Sequence, residues 1–206
     1  MLNNPAARKV ASIVIEPPAR LLLKVHVSPD AVTVVGTIGA VSCAVFFIAR
    51  GSFVWGVVGI ILFALADLLD GTMARMAGTQ GPWGNFLDAS LDRVADGAIF
   101  GAVAFWGAAQ NQLWLVAGAL VALVMGQVTS YSKARAEAVG ATANVGVVER
   151  AERLIVILAA LLVVGIAGST FDWILIAAVW LLAALGLVTV AQRFVHVRGQ
   201  LKNQRG

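Results

Sequence analysis

Four aspartates occupy two short stretches, each at one end of a strongly apolar segment of the chain. Asp67 and Asp70 are three residues apart, and Asp88 and Asp92 are four residues apart. On an α-helix, either spacing places both side chains on one face, about one turn from each other. Two antiparallel helices joined by a tight loop would therefore bring the two pairs face to face.

Carboxylates beside apolar segments require a counter-charge, because an ionisable side chain in the hydrocarbon region of a membrane costs roughly 2.5–3.5 kcal/mol. Carboxylate oxygens are the ligands that Mg²⁺ and Mn²⁺ prefer. Gly71 has no side chain, so a ligand can approach the backbone closely there, and Arg75, one turn further, is well placed for a phosphate or a base. The spacing predicts a divalent-metal site next to a phosphate-binding group.

The composition indicates that the helices carrying these aspartates lie in a membrane. Of the 206 residues, 60% are hydrophobic and 13% are charged, against about a quarter charged in a soluble domain. The mean hydropathy is +0.88. We expect no secretory signal, since the N-terminal stretch holds no uninterrupted apolar core with a cleavage site. The net charge of +4 is explained by contact with anionic lipid and by the basic residues that set membrane topology, so it does not indicate a nucleic-acid partner.

We predict an all-α integral membrane protein with six transmembrane helices and an N-terminal amphipathic interfacial helix. Residues 1–27 form the amphipathic juxtamembrane segment, which is broken at Pro17 and Pro18. Residues 28–195 form the six-span domain, and residues 196–206 form a basic cytoplasmic tail. The spans, each of the roughly 20 residues that a bilayer requires, are predicted at 29–49, 53–75, 85–107, 113–139, from the charged cluster 149–153 to 168, and 173–194.

Basic residues predict the orientation of these spans. Six spans place both termini on one side, and every lysine and arginine except Arg50 falls on that side. The positive-inside rule makes this side cytoplasmic. The four aspartates lie on the same side, so the site is expected to face the cytoplasm from the plasma membrane and to meet water-soluble substrates and inner-leaflet lipid together.

The run from Asp67 to Asp92 reads D-x2-D-G-x2-A-R-x8-G-x3-D-x3-D without a gap or substitution. It resembles the signature of the CDP-alcohol phosphatidyltransferase family. The resemblance implies an enzyme that binds a CDP-linked lipid or alcohol and transfers the phosphoalcohol portion to an acceptor hydroxyl, with release of CMP. It also implies a homodimer.

The same resemblance implies roles for particular residues. Asp67, Asp70 and Asp88 would be the main ligands of Mg²⁺ (or Mn²⁺). Asp92 would lie at the second metal position and act as general base. The residues implied for the CDP-diacylglycerol pocket are Asp30, Ala31, Val32, Thr33, Gly71, Arg75 and Gly81. The element S-P-D-A-V-T at 28–33 matches a shorter family pattern, in which Asp30 replaces the commoner asparagine. Instead of contacting the nucleotide, Asp30 could simply interact with the dipole of the helix that begins there.

Basic residues at the depth of the aspartates favour a phosphorylated acceptor, because converging cations are a receptor for a second phosphate. The stretches 130–137 and 149–153 are similar to the actinobacterial phosphatidylinositol phosphate synthases, whose acceptor is inositol phosphate. This similarity implies inositol phosphate contacts from Ser132, Lys133, Arg153 and Arg193, with Arg135 as a further candidate. Glu149 and Glu152 are expected to pair with these arginines.

Several alternatives remain open. The acceptor could instead be glycerol 3-phosphate, as in a phosphatidylglycerophosphate synthase, and the basic residues could be ordinary positive-inside residues. A cation transporter would also carry acidic residues, but its polar groups should continue through the midplane, whereas the non-cytoplasmic halves here are almost bare of charge. Asp96, one turn deeper than Asp92, could orient a neighbouring site residue or pair with Arg93 or a neighbouring helix; we expect the pairing and leave Asp96 out of the ligand set.

Overall fold

Helices form the regular structure of this protein, and the part of the chain that the structure describes contains no β-strand. The computed structural model describes the backbone of residues 5–203 and the side chains within that range, except those of residues 5–14, 66, 67, 169 and 203. The helical structure of these residues confirms the all-α prediction. The α-helices of this range are α1 (Pro5–Lys24), α2 (Pro29–Phe46), α3 (Phe53–Ala64), α4 (Ala66–Ala77), α5 (Pro82–Ala109), α6 (Leu113–Ala138), α7 (Arg150–Ala167) and α8 (Trp173–Asn203).

The first apolar helix begins where the sequence predicts it, because Ser28 caps α2. Its Oγ accepts a hydrogen bond from the backbone N–H of Ala31 at 3.2 Å. Pro29 occupies the first turn, where a missing N–H leaves no helical hydrogen bond unmade. A short 3-10 helix (Ile48–Arg50) and Gly51, with φ of +79°, then turn the chain into α3. Glycine adopts this left-handed conformation without strain.

The predicted second span consists of two helices rather than one. α3 ends at Ala64 and α4 begins at Ala66, with Leu65 between them. The carbonyl of Leu65 accepts hydrogen bonds from the N–H groups of both Leu68 and Leu69, so a tighter turn replaces the regular ladder at this point. The first aspartate pair therefore lies on a separate short helix.

α5 begins at Pro82, three residues before the predicted start. Gly81 is its N-cap residue and Pro82 its first residue, and proline is favoured there because its φ is already helical. The loop predicted to contain Pro82 is accordingly shorter. Asp88 and Asp92 lie about 9 and 15 Å along the helix axis from Pro82, so the second pair is inside the helix rather than at its tip.

The two helices at the ends of the described range differ from the prediction. α1 continues through Pro17 and Pro18, so the predicted break is wrong. Both prolines are exposed, and water can therefore hydrate the carbonyls that lose their helical partners. α8 continues to Asn203 instead of ending near Phe194, because the intervening residues include no proline to end it.

The core lies where α5, α6, α7 and α8 pack together, with α2 and α3 against α5 and α7. Phe100 and Val103 of α5, Leu161 of α7 and Leu182 of α8 are almost completely buried there. α6 and α8 approach closely at Gly118, where an added Cβ would lie 2.6 Å from the Cγ2 atom of Val179. A tight four-helix core of this kind fixes the ends of α5, α6, α7 and α8 relative to one another.

Four segments of the described chain are long and apolar enough to cross a membrane: Pro29–Arg50, Phe53–Ala77, Leu113–Ala138 and Trp173–Lys202. α5 and α7 are not among them because each carries several charged residues. Large apolar side chains such as those of Trp55, Leu113 and Ile155 are exposed, as lipid-facing residues are. These features are those of a membrane protein.

Candidate active site

α2 connects the two helices that carry the aspartate pairs, because it packs against both α4 and α5. Asp70 of α4 is buried, and the hydroxyl of Thr33 on α2 donates a hydrogen bond to its Oδ2 atom. The same hydroxyl lies 3.2 Å from the carbonyl oxygen of Pro29. Thr33, predicted for the nucleotide pocket, therefore contacts Asp70, predicted as a metal ligand. The side chain of Asp67 lies outside the described residues.

The start of α2 also meets the start of α5. The indole Nε1 of Trp83 donates a hydrogen bond to Oδ2 of Asp30 at 2.9 Å. Gly81, another residue predicted for the CDP-diacylglycerol pocket, precedes this turn directly. Sequence reasoning did not identify Trp83, and no spacing could have done so, because Asp30 lies 53 residues away along the chain.

Gly71 and Arg75 lie on the exposed part of α4. A Cβ added at Gly71 would meet no atom within 4 Å, so the backbone is open to a ligand there, as predicted. The Nη2 atom of Arg75 donates a hydrogen bond to Oγ1 of Thr72 at 3.0 Å. This bond orients the guanidinium one turn from Gly71.

The second aspartate pair has two different surroundings. Asp88 is half-buried and makes no hydrogen bond or ion pair with any residue that the structure describes. Asp92 is bound on both oxygens: Oδ1 lies 2.8 Å from Nη1 of Arg150, and Oδ2 lies 3.7 Å from Nη2 of Arg93. Arg150 was absent from the predicted site, although Arg153 on the same helix was included, because no sequence pattern shows that Arg150 contacts Asp92, 58 positions earlier.

The donors on α4 and α5 have the chemistry that a hard divalent cation requires, since Asp70, Asp88 and Asp92 supply carboxylate oxygens. The bond from Thr33 to Asp70 is of the kind that orients a metal ligand. Among the described side chains, however, no three aspartates, glutamates, histidines or cysteines lie close enough together to hold a metal ion. With Asp67 outside that set, the four-aspartate ligand set stays a prediction.

Asp96 is the centre of an ion-pair cluster on the inner side of the aspartates. Its side chain is buried, and its oxygens lie 3.1 Å from Nη2 of Arg153, 3.3 Å from Nε of Arg150 and 3.5 Å from Nη1 of Arg93. The expectation that Asp96 pairs with Arg93 and with a neighbouring helix is confirmed. Because Arg150 also binds Asp92, a single guanidinium bridges the two carboxylates.

Glu149 and Glu152 were expected to pair with the arginines, but they cap α7 instead. The Oε2 atom of Glu152 accepts a hydrogen bond from the backbone N–H of Glu149 at 3.0 Å, and the two residues form a capping box. The first N–H groups of a helix have no partner within the helix, so these glutamates supply one. Asp96 takes the contact with Arg153 that the glutamates were expected to make, whereas the negative charge of Glu149 still acts on Arg193.

Three arginines from three helices meet one turn of α6. The guanidinium of Arg153 packs on Gly126, where an added Cβ would lie 3.1 Å from its Cζ atom. The Nη1 atom of Arg193 donates to the carbonyl of Thr129 at 2.5 Å. The guanidinium of Arg93 donates to the hydroxyl of Ser130. These α6 positions lie on one face within about 6 Å along the helix axis, so the three arginines contact the same turn of α6.

The predicted acceptor contacts divide into two groups. Ser132 donates to the carbonyl of Thr129 at 2.8 Å, which is the acceptor that Arg193 also uses, and both residues line a groove of about 940 Å³ between α6 and α8. Lys133 is exposed and makes no hydrogen bond or ion pair with another described residue. Ser132 and Arg193 therefore meet at the carbonyl of Thr129, while Lys133 lies on the α6 face of Gly126 and Ser130 without such a contact.

The sequence model of the CDP-alcohol phosphatidyltransferase family matches residues 26–191, which include the complete aspartate signature and the Asp96 cluster. This chain belongs to the CDP-alcohol phosphatidyltransferase family. This phosphatidyltransferase is accordingly an enzyme of lipid synthesis, and the family assignment decides against the cation transporter considered from the sequence.

Curated relatives of this phosphatidyltransferase include phosphatidylinositol phosphate synthases. The phosphatidylinositol phosphate synthase of Streptomyces avermitilis is 46% identical over 204 residues, covering 95% of this chain and 82% of the relative. The phosphatidylinositol phosphate synthase of Corynebacterium glutamicum is 44% identical over 193 residues, covering 91% of this chain and 85% of the relative.

Solved structures of the phosphatidylinositol phosphate synthase from Mycobacterium tuberculosis share the fold. The structure with CDP-diacylglycerol bound has a TM-score of 0.85 at 38% identity and covers 89% of this chain and 93% of that one. The complex with manganese and citrate has a TM-score of 0.83 at 38% identity, covering 89% of this chain and 88% of that one.

Proposed function

We propose that this enzyme transfers the phosphatidyl group of CDP-diacylglycerol to a hydroxyl of inositol phosphate, forming phosphatidylinositol phosphate and releasing CMP. The observation that carries this proposal is the convergence of Arg93, Arg153 and Arg193 on one turn of α6. Guanidinium groups arranged in this way suit a phosphate that is distinct from the pyrophosphate of the donor. The relatives described above, which are named phosphatidylinositol phosphate synthases, support the same acceptor.

The reaction is a displacement at the phosphorus that carries the diacylglycerol. The acceptor hydroxyl oxygen forms a bond to this phosphorus, and the bond from phosphorus to the oxygen of CMP breaks, so that CMP leaves with the electron pair. The acceptor proton passes to the carboxylate of Asp92, which we propose as general base. Arg150 supports this role, because its contact with Oδ1 at 2.8 Å fixes the orientation of that carboxylate.

We infer that Asp67, Asp70, Asp88 and Asp92 hold Mg²⁺, with Mn²⁺ as a substitute. A divalent cation bound there neutralises charge on the pyrophosphate and on the departing CMP. The donor chemistry of these residues and the hydrogen bond from Thr33 to Asp70 support this site. The complex of the M. tuberculosis relative with manganese supports it as well.

The nucleotide end of CDP-diacylglycerol is proposed to bind across α2, α4 and the start of α5. The residues of this pocket are Asp30, Ala31, Val32, Thr33, Gly71, Arg75 and Gly81. The open space at Gly71 and the bond between Trp83 and Asp30, which joins the α5 start to the α2 start, support this location. The bound CDP-diacylglycerol in the M. tuberculosis relative is consistent with it.

We further propose six spans, with α5 and α7 crossing the membrane beside the four apolar segments, and α1 lying in the cytoplasmic interface of the plasma membrane. Residues 28–195 are then the catalytic domain, and the site faces the cytoplasm. A homodimer fits the open space at Gly97 and Gly101 on α5. The mass of the purified protein in detergent tests the dimer, and a monomeric mass contradicts it.

The choice of acceptor is tested by incubating the purified enzyme with labelled CDP-diacylglycerol, a divalent cation and one acceptor at a time. We expect CMP release with inositol phosphate, and none with glycerol 3-phosphate or unphosphorylated inositol. Release only with glycerol 3-phosphate would reject inositol phosphate and favour a phosphatidylglycerophosphate synthase. Release with neither phosphorylated acceptor would reject the proposed function as a whole.

The role of Asp92 is tested by Asp92→Asn, which keeps the size of the side chain but cannot accept the proton. We expect turnover to be lost while CDP-diacylglycerol still binds measurably. Asp172→Asn is the matched control, because Asp172 is a partly buried aspartate directly before α8, and its side chain accepts a hydrogen bond from Gln112 at 2.9 Å rather than from any residue of the site. Near-normal turnover of Asp92→Asn would remove Asp92 from the base role.

A further inference from the structure

The structure assigns to Asp96, which lies outside the aspartate signature, the role of a positioning residue for the acceptor. Its carboxylate holds Arg150 and Arg153 so that their guanidinium groups together bind a phosphate monoester. Arg150 is thereby added to the acceptor site. The inference rests on the proposed function, since it requires an acceptor that carries a phosphate.

The geometry makes Asp96 the shared anchor of the cluster. It is 3% exposed, and Arg153, at 2%, is equally buried. One oxygen lies 3.1 Å from Nη2 of Arg153 and the other lies 3.3 Å from Nε of Arg150. A side chain held by a buried ion pair keeps one orientation, and an oriented guanidinium binds phosphate with less loss of entropy.

Arg150 links this anchor to the reacting end of the site. Its Nε contacts Asp96 while its Nη1 contacts Asp92 at 2.8 Å. The distance between the phosphate-binding arginines and the proposed base is therefore set by one side chain. An acceptor whose phosphate binds at this cluster would present its hydroxyl at a fixed distance from Asp92, as efficient transfer requires.

The charges of the cluster identify the ligand. Arg93, Arg150 and Arg153 share two carboxylates, those of Asp96 and Asp92, which leaves a surplus of one positive charge. A phosphate monoester carries about −1.5 to −2 charges at neutral pH, so this cluster attracts it, and it does not attract a neutral alcohol. The Nε atom of Arg93 is buried without a hydrogen-bond partner among the described residues. Its N–H group is therefore a further donor for such an anion.

Asp96 acts through the arginines rather than on the phosphate itself. A carboxylate only accepts hydrogen bonds and repels a phosphate, so direct contact is unfavourable. Replacing it by asparagine should release Arg150 and Arg153 from their fixed orientations and weaken acceptor binding. Binding of CDP-diacylglycerol should change little, because its proposed pocket lies on α2, α4 and the start of α5.

The experiment is steady-state kinetics of Asp96→Asn with each substrate varied in turn. We expect the KM for inositol phosphate to rise about tenfold or more and kcat to fall, because Arg150 also orients Asp92, while the KM for CDP-diacylglycerol stays within about twofold of wild type. Asp172→Asn is the control of matched chemistry and should leave the acceptor KM unchanged. Asp96→Glu, which keeps the charge, should give an acceptor KM between those of Asp96→Asn and the wild type.

A mutant cycle separates positioning from a general structural role. In an Arg153→Gln background, Asp96→Asn should raise the acceptor KM by a smaller factor than it does in the wild type, because one of its two targets is already gone. Equal factors in both backgrounds, or equal increases in both KM values, would overturn the inference. If Asp96→Asn does not fold, Asp96→Glu takes its place in the cycle. An acceptor KM that Asp96→Glu leaves unchanged, both in the wild type and in the Arg153→Gln background, would then overturn the inference as well.

These outcomes are distinct from failure of the proposed function. If the wild-type enzyme uses neither inositol phosphate nor glycerol 3-phosphate, the proposed function fails before any variant is measured. If the wild type transfers to a phosphorylated acceptor but Asp96→Asn has no selective effect on that acceptor, only the role of Asp96 fails.

Discussion

The contact between Thr33 and Asp70 gives the sharpest prediction about the metal site. Thr33→Val replaces the hydroxyl by a methyl group of similar size and removes the hydrogen bond to Oδ2 of Asp70. Asp70 is buried, so water replaces this bond poorly. We expect the enzyme to need a higher divalent-cation concentration, because the carboxylate loses the group that orients it as a ligand.

The size of the effect follows from the kind of hydrogen bond. A hydrogen bond to a charged group contributes about 1.5–3 kcal/mol, and 1.4 kcal/mol corresponds to a tenfold change in binding. The Mg²⁺ concentration for half-maximal activity should therefore rise about 10-fold to 100-fold, the range found when partners of metal ligands are removed. The rate at saturating Mg²⁺ should be affected much less.

The assay is CMP release at a saturating concentration of both substrates, with Mg²⁺ or Mn²⁺ varied. Thr37→Val is the matched control, because Thr37 lies one turn further along α2 and its hydroxyl donates only to the carbonyl of Thr33 at 3.0 Å. A metal requirement of Thr33→Val within about twofold of wild type would refute the reasoning. A higher KM for CDP-diacylglycerol without a change in metal requirement would assign Thr33 to the lipid pocket alone.

Three further predictions concern the metal, a loop and the helix core. Removal of divalent cations with EDTA should abolish CMP release, and added Mg²⁺ or Mn²⁺ should restore it; activity that persists in EDTA contradicts a metal-assisted reaction. Thr189→Val should destabilise the protein by about 1–3 kcal/mol, because the buried Thr189 hydroxyl accepts hydrogen bonds from two N–H groups of the loop before α7; an unchanged melting temperature in detergent contradicts this. Gly118→Ala should lower the melting temperature, because the new Cβ would lie 2.6 Å from a methyl group of Val179. Gly199→Ala, which meets open space on α8, should not lower it.

The candidate site residues could be predicted from the sequence because their signature depends on local spacing. Asp67, Asp70, Asp88 and Asp92 fall at intervals of three and four residues, and such intervals determine a helix face whatever the rest of the fold does. The same holds for the capped start of α2 at Ser28, which the structure confirms. The apolar composition likewise indicated an all-helical membrane protein before any contact was known.

Other features depended on tertiary contacts that no spacing encodes. Trp83 meets Asp30 because α2 packs against α5, and Arg150 meets Asp92 and Asp96 because its long side chain reaches from the start of α7 to α5. Glu152 appeared suited to an arginine, but the unpaired N–H groups at the α7 start compete for it.

The sequence by itself determined the residue types, their local faces and the family to which they point. Only the tertiary structure decided which charges compensate one another: three arginines from α5 and α7 share Asp96, and Arg193 of α8 joins two of them on one turn of α6. The physical reason is the separation along the chain over which each effect acts. Helix periodicity acts over a few residues, whereas the pairing of charges depends on helices that are far apart in sequence and meet only when the core packs.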